Sequence, residues 1–398
     1  MDSTISFPWI LTIVIADAER QRLPVTSVDP QLAQDLWEAL GFDAAQIAEA
    51  VRRQLAVLHG EEGYCPIICS AGLTPAQEAL LPPPVSLDEE FSSHVRTLTN
   101  GLRAVAALLN SGSDGAPCIR PNMGVGVCAT VFGCVQTVFP DKMPWVTKHV
   151  TWEALDDFDA ETAPLGAQME LAMERAHFLR AHLEGSGVTP YCFDTQGPFD
   201  LAHLVVGDAL FYALYDAPER VHRLLDQCVR LIVRVTNLYK EAATEPRDGG
   251  RHSGVLAMRG GIRVCEDTST LLNAAQIAEF VTPYTNRLLA AFGGGWVHYC
   301  GRNDALYRAV IDEMPLAYAL NFGNPEKHDL AAVLDDLLQR GKTYFGGVPR
   351  RPDEDTEAHF RRVLSYTQGC GRGLIFHHTG GADAARDVAL WRELQAAG

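Results

Sequence analysis

The stretch Gly293-Gly294-Gly295-Trp296-Val297-His298-Tyr299-Cys300-Gly301 decides the fold. Three glycines stop the amphipathic run over 273–292, and a short apolar run that closes on polar residues follows at once. The same order of helix, stop, short strand and polar close recurs along the chain. Candidate strands fall at 118–122, 190–194, 261–266, 296–300, 317–322, 343–345 and 374–376, with 64–69 as an eighth. The spacing predicts helices over 218–242, 273–292 and 353–367, the last ended by Gly369. Strands alternating with helices imply a parallel sheet and an α/β class. Eight strands with such crossovers favour a closed (β/α)8 TIM barrel. An open doubly wound sheet is the alternative, and no Gly-x-Gly-x-x-Gly turn follows any strand to support its dinucleotide-binding form.

At 398 residues the chain exceeds the roughly 250 of a plain barrel. Its first 88 residues differ from the rest. They hold an apolar run over 7–16, two predicted helices over 29–40 and 43–59 with Asp29 and Asp43 as N-caps and Gly60 as a stop, and a Pro-rich stretch over 80–85. The expectation is a partly helical N-terminal extension over 1–88, containing the strand at 64–69, and a barrel over 89–398. A content of 47% hydrophobic and 21% charged residues suits a globular chain with a large core.

Lys plus Arg number 33 against 50 Asp plus Glu, a formal net charge of -17. Such a surface repels phosphate backbones and anionic lipid, which argues against nucleic acid and membrane partners. The 7–16 run falls short of the roughly 20 residues a bilayer span needs, and no basic segment precedes it, so a cytoplasmic protein is expected. Ten cysteines without framework spacing read as reduced thiols, one or two of them recruited for chemistry.

Barrel chemistry sits where the carboxyl ends of the strands converge. Polar residues close the candidate strands there: Asn122, Asp194 with Gln196, Glu266 with Asp267, His298 with Cys300, Asn321 with Asn324, and His377 with His378. Side chains two apart on a strand face the same way, so His298 and Cys300 point together. An imidazole and a thiolate converging at a barrel mouth suit Zn(II). Glu266, Asp194 and Arg263 are the candidates for acid, base and carboxylate-binding work, and Asn122, Gln196, Asp267 and Asn321 for substrate contact. Plainer roles compete with each: Cys300 as a small hydrophobe, Glu266 and Asp267 as helix caps, Asp194 and Gln196 as turn formers before Pro198, Arg263 as an interior ion-pair partner.

Gly301 follows His298-x-Cys300 directly; Glu266-Asp267 and a helix with Phe280, Pro283 and Tyr284 precede it. Upstream stand Asp194-Thr195-Gln196-Gly197-Pro198, Gly207, Asp216-Ala217-Pro218-Glu219-Arg220-Val221-His222, Phe132-Gly133 and Pro144-Trp145-Val146. Over 86–381 this series resembles the uroporphyrinogen decarboxylase superfamily, on the side of its corrinoid-linked methyltransferases. The Arg-Gln-Ala-Gly-Arg-Tyr signature of the haem-pathway decarboxylases does not occur.

The resemblance implies a zinc-dependent methyltransferase that moves a methyl group between a methyl-corrinoid on a partner protein and a small-molecule thiol or other acceptor, in a chain that forms a homodimer. It makes His298 and Cys300 zinc ligands. The family's third ligand is a Cys shortly after the last strand, where this chain has His377-His378-Thr379-Gly380-Gly381. Consecutive residues face opposite ways, so one histidine serves; His378 is preferred, with His377 or Cys370 as substitutes, Cys370 preceding the strand at its other end. Glu266 is a further ligand or orients the His298 ring. A metal-free decarboxylase or lyase using Asp194, Arg263 and Glu266, and a non-catalytic corrinoid- or ligand-binding protein, are the alternatives.

Overall fold

The computed structural model describes residues 30–61 and 63–396, so the apolar run over 7–16 and the cap at Asp29 lie outside the described residues. The chain is mixed α/β. Its strands in order are β1 (Ile67–Ile68), β2 (Cys118–Ile119), β3 (Val135–Thr137), β4 (Trp145–Lys148), β5 (Thr189–Pro190), β6 (Gly249–His252), β7 (Leu256–Arg259), β8 (Ile262–Cys265), β9 (Gly295–Tyr299), β10 (Ala317–Phe322), β11 (Thr343–Gly346) and β12 (Leu374–His377). Six of them make one parallel sheet in the order β1-β12-β11-β10-β9-β8, and β2 pairs in parallel with β5. Two antiparallel hairpins, β3 with β4 and β6 with β7, were not read from the sequence.

Each of the eight expected strands has a counterpart, but β1, β2 and β5 are two residues long. Beyond β2 and β5 the segments leave the ladder where Pro121 donates no hydrogen bond and where Asn122 and Gln196 take left-handed φ of 59° and 61°.

The helices form where their sequences cap and periodically bury them. Asp43 accepts from the backbone N–H groups of Ala45 and Gln46 at 2.8 and 3.3 Å, starting the helix Ala44–Leu58, which buries Ile47, Ala50, Gln54, Val57 and Leu58. The run expected over 273–292 is interrupted. Pro283 lacks the donor a regular turn requires, and the turn before it, Ile277–Val281, widens into a π-helix ahead of Thr282–Ala291.

The parallel sheet buries both faces. Val264, Val297, Leu320, Tyr344 and Phe376 pack into the large core shared with the helices. Ile68, Trp296, Ala319, Phe345 and Ile375, alternate residues on the other face, form a second cluster with Leu256, Met258, Val57 and Leu58. This inner face of the sheet is thus covered, near the amino ends of its strands, by the β6–β7 hairpin and the helix Ala44–Leu58. Gln54 ties the two together, donating to Val255 O at 2.9 Å and accepting from Ala257 N at 2.8 Å. Among the described residues no helix is long and apolar enough to cross a membrane.

On the helix side of β12, His359 of the helix Thr356–Ser365 packs against Phe376. Burial, reinforced by the charge of Arg362, pushes its pKa from 6.5 down to about 4. The unfolded chain thus takes up a proton near pH 6.5 and the folded chain only near 4, so stability is lost as the pH falls through that window. We expect a loss of roughly 2 kcal/mol. Urea unfolding at pH 7 and pH 4.5 will show it, and the dependence will be flatter in His359→Gln.

Candidate functional site at the carboxyl ends of β8 and β9

The register of β8 with β9 sets Cys265 beside His298 and Arg263 beside Trp296. Alternation then carries Asp267 and Cys300 to the same side one step further out. The Cys265 sulfur, an Asp267 carboxylate oxygen and a His298 ring nitrogen lie within 4.8 Å of one another. Cys300 Sγ is 3.6 Å from His298 Nε2, and Asp267 Oδ1 is 3.8 Å from the same nitrogen. Asp267 Oδ1 also accepts the Cys300 backbone N–H at 2.6 Å, which fixes the turn that carries the thiol.

Two neighbours prepare His298 as a ligand. Asn321 donates from Nδ2 to Phe345 O, so its Oδ1 faces His298 Nδ1, at 2.5 Å. The proton then belongs on Nδ1, and Nε2 presents a lone pair to the cluster. Burial, with the charge of Arg263 behind it, holds the ring's pKa below 6.5, in the neutral form a metal requires. Cys265, Asp267 and His298 together offer a thiol, a carboxylate oxygen and an imidazole nitrogen, a donor set that fits Zn(II), and Cys300 Sγ stands beside His298 at its rim.

Asp267 is itself held from below. Asp200, in the helix Pro198–Val206, accepts the backbone N–H groups of Asp267 and Thr268, both at 2.7 Å. Deeper on the inner face Asp194 pairs with Arg120 and, at 3.5 Å, with Arg263 Nη1. Burial raises the Asp194 pKa, but the two guanidinium groups outweigh it and leave the carboxyl below its usual 3.8.

Several expected site residues stand elsewhere. Glu266 is fully buried on the helix face of β8, where Ser269 Oγ and Thr285 Oγ1 each donate to it at 2.6 Å; alternation turns it away from His298, so it neither binds nor orients that ring. His378 is likewise on the helix face: its Nε2 is 2.8 Å from Asp387 Oδ2 and its ring stands edge-on to Phe360. Cys370 lies at the amino end of the sheet, its carbonyl accepting Gly63 N just before β1, and its thiol donating to Thr367 O.

His377 shares the inner face and stacks on Phe345 with centroids 6.3 Å apart, yet it is outside the Cys265, Asp267 and His298 group. Asn122 donates to Glu90, and Gln196 is buried in the bend after β5. The structure adds Cys265, Arg120 and Asp200. Cys265 was detectable by the rule that paired His298 with Cys300, applied to Arg263-x-Cys265-x-Asp267. Arg120 and Asp200 carried no such signal.

Compared with known proteins, the chain matches no protein-family model, and no curated protein matches it.

Proposed function

We propose that the chain is a closed (β/α)8 barrel of the uroporphyrinogen decarboxylase superfamily and acts as a zinc-dependent methyltransferase, moving a methyl group between a corrinoid protein and a thiol or other acceptor. Closure is supported by the pairing of β1 with β12, the first and last parallel strands. At the two breaks in the ring, Asp114 N, just ahead of β2, donates to Ile67 O at 2.8 Å, and Gly197 N, beyond β5, donates to Cys265 O at 2.7 Å.

The observation that carries the activity is the separation of Cys300 Sγ and His298 Nε2, 3.6 Å. A sulfur and a nitrogen on one tetrahedral zinc stand about 3.6 Å apart, given bonds of about 2.3 and 2.0 Å. The third donor comes from the end of β8 or the turn just beyond it, as Cys265 or Asp267 in place of His378. Bound zinc supplies an open position at which a thiol loses its proton near neutral pH. Asn321 keeps the His298 Nε2 lone pair turned to where the metal would be held, and Asp267 fixes the turn that carries Cys300. Cys300 is exposed, so a bulky cofactor on a partner reaches the mouth from outside.

Metal analysis tests this reading. Freshly purified protein should hold close to one zinc per chain, His298→Ala and Cys300→Ser should hold none, and Cys265→Ser beside Asp267→Asn should identify the third ligand. Wild-type protein that takes up no zinc would sink it.

A further inference from the structure

Arg263 and Trp296 are register partners on β8 and β9, so they stand side by side on the inner face, one residue pair deeper than Cys265 and His298. The guanidinium carbon is 5.7 Å from the indole centroid. Each side chain has a buried N–H without a hydrogen-bond partner among the described residues: Arg263 Nε and Trp296 Nε1. Trp296 is only 3% exposed. Buried donors are nearly always satisfied, and two orphans side by side call for an acceptor.

Positive charge gathers at the same depth. Arg120 and Arg263 share the single carboxylate of Asp194. The other carboxylate on this face, Asp267, is at the rim and turned to the Cys300 N–H. His252, whose ring stands edge-on to Trp296, is kept neutral by burial and by Arg263. Two guanidinium groups thus lean on one carboxylate where the two donors stand, with Asp267 further out as their other counter-charge. Side-chain exposure is 15% at His298 and 12% at Arg263, with Cys300 exposed at the rim.

We infer that this part of the inner face is a subsite for the carboxylate group of a small substrate, received by Arg263 Nε and Trp296 Nε1 with the charge of Arg120 behind them. The reacting end of that molecule then lies one pair higher, at Cys265 and His298. Two residues of strand span about 6–7 Å, the length of a short carbon chain. The inference rests on the proposed function only for what is done to the substrate, because holding the carboxylate needs no metal.

Propionate and its neutral isostere propionamide are the probes, titrated calorimetrically into zinc-loaded and chelator-treated full-length protein. Propionate should bind both forms and propionamide neither. Arg263→Lys keeps the charge but removes Nε and should weaken binding at least tenfold. Trp296→Phe keeps an aromatic ring but removes Nε1 and should weaken it severalfold. Should either variant fail to fold, the other decides, together with the change in indole fluorescence that propionate produces in wild type.

Equal binding of the two probes, or unchanged affinity in a folded variant, overturns the subsite. Propionate binding in a protein that takes up no zinc keeps the subsite and removes the metal reading. Zinc uptake without propionate binding does the reverse.

Discussion

His298→Ala should lower kcat/KM for methyl transfer from methylcobalamin to a thiol about a thousandfold, with far-ultraviolet circular dichroism unchanged. The size follows from position: Nε2 is the atom that Cys300 Sγ, at 3.6 Å, and Asp267 Oδ1, at 3.8 Å, both face. Removing it dissolves the donor set, and a Lewis acid at a reacting thiol contributes several kcal/mol, about 4 for a thousandfold. The fold tolerates the change because the His298 side chain lies near the carboxyl end of β9, above the apolar cluster built on Trp296 and Phe345. Asn321→Leu should fall between: the ligands remain, but the tautomer and ring angle are no longer set, and zinc should bind about 10- to 100-fold more weakly. Equal rates in wild type and His298→Ala would show that the chemistry lies elsewhere.

The pairing of His298 with Cys300 is legible from sequence because it depends only on the period of one strand. Cys265 beside His298 depends on the register between two strands, which hydrophobic pattern alone does not supply. Glu266 and His378 show the complementary failure. Both close a strand, as residues at a barrel mouth do, but the phase of alternation sends Glu266 to Ser269 and Thr285 and His378 to Asp387. Polar character at a strand end was legible; the face was not.

The N-cap at Asp43 and the stop after Ala291 follow from local chemistry and lie where that chemistry places them. The β6–β7 hairpin, which covers the inner face near the amino ends of its strands, is held by tertiary contacts to Gln54, some 200 residues away in the chain, and has no comparable local signal.

Asp194→Asn should be the most damaging single change to stability among the site residues, at about 3 kcal/mol. The carboxylate is 12% exposed and neutralises Arg120 and Arg263 together. An amide of the same shape leaves the two guanidinium groups without the carboxylate they share, and the cost of breaking a buried pair is largely that of the charge left behind. Arg120 is 30% exposed, so solvent screens part of its charge, which keeps the figure below the upper end for such pairs.

Restoring the balance should therefore restore stability. Asp194→Asn combined with Arg120→Gln should be more stable than Asp194→Asn alone, a coupling that urea unfolding of the four proteins in a double-mutant cycle measures. The sign with pH follows from the lowered pKa. The contribution of Asp194 is in place above the 3.8 of an ordinary aspartate and fades as the pH falls through its lower folded value, so the gap between wild type and Asp194→Asn should narrow in acid. A gap that stays constant down to pH 3 would mean that the carboxylate acts through packing, and the two arginines would then have to find their counter-charge in another group.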